Sequence, residues 1–169
     1  MRHSLRDAFP RLFGARWDEA RKLYMDTFTS VHLERLAALA GAVDLLDALK
    51  ARGLYLAVVS NKTGRVLRRE AEHLGWTPYF ARLVGAGDAT EDKPAAAPMH
   101  LALEGSGITA GNDVWYVGDT AVDMECAANA GCLGVLLGTI DVADSGFTQF
   151  PPGLAFPGCD ALTRHLSGL

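Results

Sequence analysis

The stretch Val114-Trp-Tyr-Val-Gly-Asp-Thr-Ala-Val-Asp-Met-Glu-Cys-Ala-Ala-Asn-Ala-Gly131 decides how this chain folds. It opens on four apolar residues in a row, the pattern of a strand covered on both faces and not of a half-exposed, alternating one. It turns at Gly118-Asp119 and continues as a helix from Ala121 to Ala130, stopped by Gly131 just past its end. A second apolar run, Leu133 to Leu137, follows at once. Strand, helix and strand in this order make a right-handed crossover unit, and such units build parallel sheets covered by helices.

Moving upstream, the same rhythm repeats. Ala42 to Arg52 reads as a helix with Val43, Leu46 and Leu49 on its buried face and Gly53 at its end. Leu54 to Val59 is a continuous apolar strand, and Thr63 to Leu74 is a helix ended by Gly75. Leu83-Val84 marks a short strand. Pro94 to Gly105 is a third helix with proline in its first turn. Downstream, Thr139 to Gly158 is the least regular part, and Asp160 is placed to cap a last helix over Ala161 to Leu166. Before Gly41 the pattern is purely helical. Leu5, Phe9 and Leu12 form one face of a short helix, and Trp17, Leu23, Tyr24, Phe28, Val31 and Leu36 form the stripe of a longer one. Pro10 and Gly14 are expected to divide them. The expected organisation is a helical part over residues 1–39 and an α/β unit over residues 40–169.

Composition narrows the function. With 169 residues, 49% hydrophobic and 21% charged, the chain has room for one domain with a substantial core. A net charge of -4 argues against nucleic acid as a partner, because phosphate-backbone binding needs a basic surface. Cys126, Cys132 and Cys159 form neither an even set nor a CxxC pair, which points away from a disulfide framework or structural zinc and towards a reduced, cytoplasmic setting. No apolar run approaches the ~20 residues of a membrane helix, and the acidic residues Asp7, Asp18 and Glu19 do not suit a leader peptide.

Three polar clusters fall beside predicted strands, where open parallel sheets bind ligands. Ser60-Asn61-Lys62-Thr63 offers a hydroxyl and helix N-terminal amides, a natural phosphate cradle, although Ser60 or Thr63 also serves as an ordinary helix cap. Lys93, next to Pro94, can neutralise a phosphoryl oxygen or a carboxylate, while the commoner lot of a lysine is an exposed surface. Asp119 and Asp123 supply the hard oxygen ligands that Mg²⁺ prefers. Thr120-x-x-Asp123 also fits a capping box, a reading that leaves Asp119 without a structural task. A Rossmann nucleotide site is disfavoured, since no GxGxxG turn follows any predicted strand.

Taken in order, apolar-Ser-Asn, then Lys-Pro, then apolar-Gly-Asp-Thr-x-x-Asp resemble the second, third and fourth motifs of the haloacid dehalogenase superfamily. Tyr116 to Gly131 resembles its phosphoglycolate-phosphatase branch in particular. The resemblance implies a three-layer, Rossmann-like α/β core with a helical cap, and an Mg²⁺-dependent phosphatase of small phosphate monoesters. It implies that Ser60, with the amide of Asn61, binds the transferring phosphoryl group. Lys93 pairs with the phosphoryl oxygens and the nucleophile, Asp119 holds the metal, and Asp123 supports the metal or orients Lys93. Two departures touch loop stiffness more than chemistry: Pro94-Ala-Ala-Ala-Pro98 lacks a second proline two places after the first, and Ala40-Gly41 replaces a frequent Pro-Gly. Arg2, Arg6 and Arg11 are candidates for a substrate carboxylate, weighed against plain solvated arginines.

By the same resemblance, the nucleophile and a general acid–base two residues later belong to an Asp-x-Asp that ends the first, central strand. No Asp-x-Asp follows an apolar strand here. The core is therefore expected to lack its first strand and the cap its beginning. Leu54–Val59 and Val114–Val117 must then pair directly, leave an open slot, or take a strand from elsewhere. Each buried unpaired amide costs about 1–3 kcal/mol, so an open slot several residues long is expensive. The favoured expectation is that coding sequence upstream of Met1 holds an in-frame hydrophobic strand ending in Asp-x-Asp, this chain being an incomplete and inactive copy. An open sheet also makes a homo-oligomer an expectation. The alternative is a catalytically inactive phosphate- or metal-binding relative that acts through protein contacts.

Overall fold

A computed structural model describes residues 5–139 and 145–168. Its first part is a pair of packed helices, α1 (Leu5–Phe13) and α2 (Trp17–Val31), joined by a single 3-10 turn over Gly14–Arg16. Phe9, buried between them, meets Phe13 and Tyr24 edge-on at 5.1 and 5.7 Å. The break between the helices comes at Gly14 alone. Pro10 sits inside α1 on its exposed side, where water can satisfy the carbonyl left without an amide partner.

The rest of the chain alternates helix and strand as expected. The elements are α3 (Ala42–Ala51), β1 (Ala57–Thr63), α4 (Gly64–His73), β2 (Arg82–Ala86), α5 (Ala97–Leu103) and β3 (Trp115–Gly118). They continue with α6 (Ala121–Asn129), β4 (Leu133–Leu137), β5 (Leu154–Phe156) and α7 (Cys159–Ser167). Every strand pair is parallel. Several boundaries differ from the sequence reading; α7 starts at Cys159 behind Gly158, so Asp160 lies in its first turn and does not cap it. β1 starts at Ala57, because Leu54 stays half-exposed, and it extends through the polar residues to Thr63. Its register with β2 shifts between Val59 and Thr63, so Ser60, Asn61 and Lys62 bulge out of the ladder at the strand's carboxyl end. α5 begins three residues after Pro94, behind a turn closed by the bond from Ala95 N to Asp92 O. β5 forms within a segment whose prolines read as loop; Pro151 and Pro152 precede it and Pro157 follows it.

Helices cover both faces. α5 and α6 meet in one cluster, with Met99 and Ala102 against Cys126, Ala127 and Ala130. α3 and α7 pack Leu45, Leu162 and Leu166 against Trp115, Leu137 and Phe156. The ladders fall into two sheets, β1–β2 and β3–β4–β5. Among the described residues no ladder joins β1 to β3, and of the alternatives posed by the sequence direct pairing is the one not adopted. What spans them is the shared α5–α6 cluster, which takes in Val59 and Val84 on one side and Tyr116 on the other. Among the described residues no helix is long and apolar enough to cross a membrane.

Candidate functional site

The carboxyl ends of β1 and β3 and the Lys93 turn converge on one cavity of about 500 Å³. Ser60, Asn61, Lys93, Asp119 and Asp123, the five residues singled out from sequence, all line it. At the end of β1 the Ser60 hydroxyl accepts from Lys62 N at 3.1 Å. The Asn61 amide grips the main chain of Lys93 from both sides: its Nδ2 donates to Lys93 O, and its Oδ1 accepts from Lys93 N, each at 3.0 Å. Asn61 thus fixes the position of Lys93 across 32 residues of sequence. Lys62 turns back to the buried Glu70.

Asp123 is the electrostatic centre. Its Oδ1 accepts from Lys93 Nζ at 2.6 Å, and the Tyr116 hydroxyl, whose single proton goes to Val59 O at 3.0 Å, lies 3.2 Å from the same oxygen. Its Oδ2 accepts from Asp119 N, Thr120 N and Thr120 Oγ1. The capping box read in Thr120-x-x-Asp123 is present, so the structural and the electrostatic roles fall on one carboxylate. Burial pushes its pKa up, but the charge and hydrogen bond of Lys93, with Thr120, outweigh that and hold it below the ordinary carboxylate value. Burial, followed by the Asp123 charge, raises the Tyr116 phenol, which therefore stays a donor. Burial also pushes the Cys126 thiol up to about 12, which makes it an inert packing group.

Lys93 is fastened on further sides. Asn129 Nδ2 donates to Pro94 O at 2.9 Å, and Cys126 Sγ to Ala95 O at 3.3 Å. The Lys93–Pro94 peptide bond is cis. Asp92, almost wholly buried, accepts from Gly87 N at 2.9 Å and forms an ion pair with Arg6 of α1 at 3.2 Å. Arg6 is thereby paired with Asp92, with 47% of its side chain still exposed; Arg11 is exposed, and Arg2 lies outside the described residues. Sequence reasoning missed Tyr116, Asn129 and Asp92. Tyr116 carried a signal, since the hydroxyl of a tyrosine in a buried strand needs a partner. Asn129 and Asp92 carried none, because Asn129 bonds the main chain of Pro94 and Asp92 pairs with Arg6, both far away in sequence.

A two-carboxylate metal site is not assembled by these residues. Asp123 already accepts from four protein donors, Lys93 Nζ, Asp119 N, Thr120 N and Thr120 Oγ1, so the metal-ligand part expected of it does not fit. Asp119 is exposed at the end of β3 and lines the cavity. One such carboxylate suits Mg²⁺, which keeps several waters and binds through one or two carboxylates together with phosphate oxygens. No cluster of three His, Cys, Asp or Glu suited to a metal occurs among the described residues.

A parallel α/β core with a phosphate-type cradle, a held lysine and a strand-end aspartate is the build of a haloacid dehalogenase-like hydrolase, and the family model so described matches residues 1–136. The chain belongs to that family. It is 34% identical over 115 residues to the phosphoglycolate phosphatase of Escherichia coli, which takes in 68% of this chain and 45% of the relative. It is 29% identical over 125 residues to that of Chromobacterium violaceum, or 74% of this chain and 56% of the relative. The chain thus spans about half the length of the curated relatives it matches. The fold is that of a haloacid dehalogenase-like hydrolase from Bacteroides fragilis, with a TM-score of 0.82 over 94% of this chain and 77% of that one, at 20% identity.

Proposed function

We propose that this chain carries the phosphate- and Mg²⁺-binding side of a phosphatase for small phosphate monoesters, in the manner of the phosphoglycolate phosphatases it resembles. The observation that carries the reading is the convergence of Ser60, Lys93 and Asp119, from three separate segments, on one cavity. The Ser60 hydroxyl and the main-chain N–H of Asn61 hold phosphoryl oxygens. Lys93, fixed at its main chain by Asn61 and at its ammonium by Asp123, neutralises charge developing on the phosphoryl group. Asp123 acts as the residue that orients Lys93. Mg²⁺ bound through Asp119 supplies Lewis-acid stabilisation of the phosphate charge.

Turnover in this reading needs an aspartate to attack phosphorus, giving an aspartyl-phosphate that water then hydrolyses, and a second carboxylate for proton transfer. The 169 residues contain no Asp-x-Asp. The attacking carboxylate therefore comes from an extended segment outside them, seated between β1 and β3, in place of the first strand. The unladdered edges of those strands, both lining the cavity, support that seat. Without such a segment the same residues bind phosphate and metal and turn nothing over, a second reading that the lack of Asp-x-Asp favours. The two separate when a hydrophobic strand ending in Asp-x-Asp is placed ahead of the chain and Mg²⁺-dependent hydrolysis of p-nitrophenyl phosphate is assayed. Recovered turnover supports the phosphatase, and a folded, inert product supports the binding protein.

A further inference from the structure

The cavity that holds Ser60 and Lys93 has a second wall, and that wall is aromatic. Tyr24 and Phe28 stand four residues apart on α2 and so share one face of the helix. Their rings are parallel to within 9° with centroids 5.8 Å apart. Phe9 braces Tyr24 edge-on at 5.7 Å, and His32 stacks on Phe28 at 4.6 Å. Leu5 and Met25 extend the same wall. A column of rings braced in this way presents a fixed surface at low entropic cost on binding. Tyr24 nevertheless keeps 37% of its surface exposed.

Among the described residues the cations around the cavity are paired. Lys62 pairs with Glu70, Lys93 with Asp123 and Arg6 with Asp92, and the three carboxylate side chains are only 9%, 7% and 1% exposed. Drawing a cation away would leave a buried carboxylate without its partner, which is strongly unfavourable. An anion entering here must share a paired cation, as the phosphoryl group shares Lys93, or bring its own. A phosphoryl group also brings Mg²⁺; a further carboxylate on the substrate would find no free cation among the described lining residues.

Resting on the phosphate reading above, we infer that the organic group of the ester is uncharged and flat, an aryl or similar ring packed against Tyr24 and Phe28. Among the described residues no unpaired cation lines the cavity to meet the carboxylate of a phosphoglycolate.

The test is calorimetric titration of the whole chain, with Mg²⁺ present, using inorganic phosphate, methylphosphonate, phenylphosphonate and phosphonoacetate. Phenylphosphonate should bind about tenfold more tightly than methylphosphonate, and phosphonoacetate no more tightly than methylphosphonate. In Phe28→Leu, which keeps apolar volume but removes the ring, the aryl preference should shrink to below about threefold. Phosphonoacetate binding more tightly than phenylphosphonate overturns the inference and leaves the phosphate site standing. An aryl preference undiminished in Phe28→Leu overturns the placement of the ring. If none of the four compounds binds, the phosphate reading falls and this inference with it.

Discussion

The hydroxyl of Tyr116 donates to the main-chain carbonyl of Val59 at 3.0 Å, so a side chain of one parallel sheet closes on the backbone of the other. The same hydroxyl lies 3.2 Å from Asp123 Oδ1, which is itself held by Lys93. One phenol therefore ties together the end of β1, the start of α6 and the lysine of the site. Its raised pKa, from burial and the neighbouring Asp123 charge, keeps it protonated and able to donate across the ordinary pH range.

Tyr116→Phe removes that hydroxyl while keeping the ring in the core. The expected loss is about 1–2 kcal/mol, the cost of the buried hydrogen bond to Val59 O. Urea denaturation should show a lower midpoint with an unchanged slope. A variant as stable as the native chain would mean that the hydroxyl contributes nothing across the two sheets.

Lys93 and Asp123 form a pair whose side chains are only 11% and 7% exposed. Lys93→Met leaves a buried carboxylate without its cation and should cost about 3–5 kcal/mol. The double variant Lys93→Met/Asp123→Asn should recover part of that loss, since no uncompensated charge remains. Additive effects in the thermodynamic cycle would show that the two groups do not interact.

The parts of this arrangement that the sequence disclosed are those repeated locally. Strand-then-helix alternation is written in consecutive residues, as in Val114 to Gly131, and so are the caps at Thr120 and Gly131. Ser60, Lys93 and Asp119 were legible because each sits beside an element boundary. What stayed hidden depends on distance in sequence: Asn61 on the backbone of Lys93, Asn129 on Pro94, Arg6 on Asp92. The pairing of Arg6 was equally hidden, because an arginine on a helix surface reads the same whether it is solvated or paired. β5 escaped because the prolines flanking its three residues mask a short edge strand.

The pH dependence of stability follows from Asp123. Its folded pKa is depressed below the ordinary carboxylate value, about 3.9 when unfolded. Its contribution is then fully present above that pH and is lost as the pH falls through the lower, folded value. The stability gap between the native chain and Asp123→Asn should be flat from about pH 5 to 8 and should narrow below about pH 4. A gap that widens on acidification would contradict the depressed value.

Gly118 separates a steric demand of the site from ordinary backbone strain. A Cβ placed there would lie 2.4 Å from Asp123 Cβ and 2.5 Å from its Cγ, so Gly118→Ala must displace Asp123 and with it the hold on Lys93. Gly131, at the end of α6, has φ +71° and open space around its missing Cβ. Gly131→Ala therefore strains the backbone by about 1–2 kcal/mol without touching the site. Gly118→Ala should lose about 1–3 kcal/mol from overpacking and should also weaken the binding of inorganic phosphate in the presence of Mg²⁺. Gly131→Ala should lose stability alone. Equal phosphate affinity in the two variants would mean that Asp123 can move without disturbing Lys93, and that the cavity tolerates a looser arrangement than the one described.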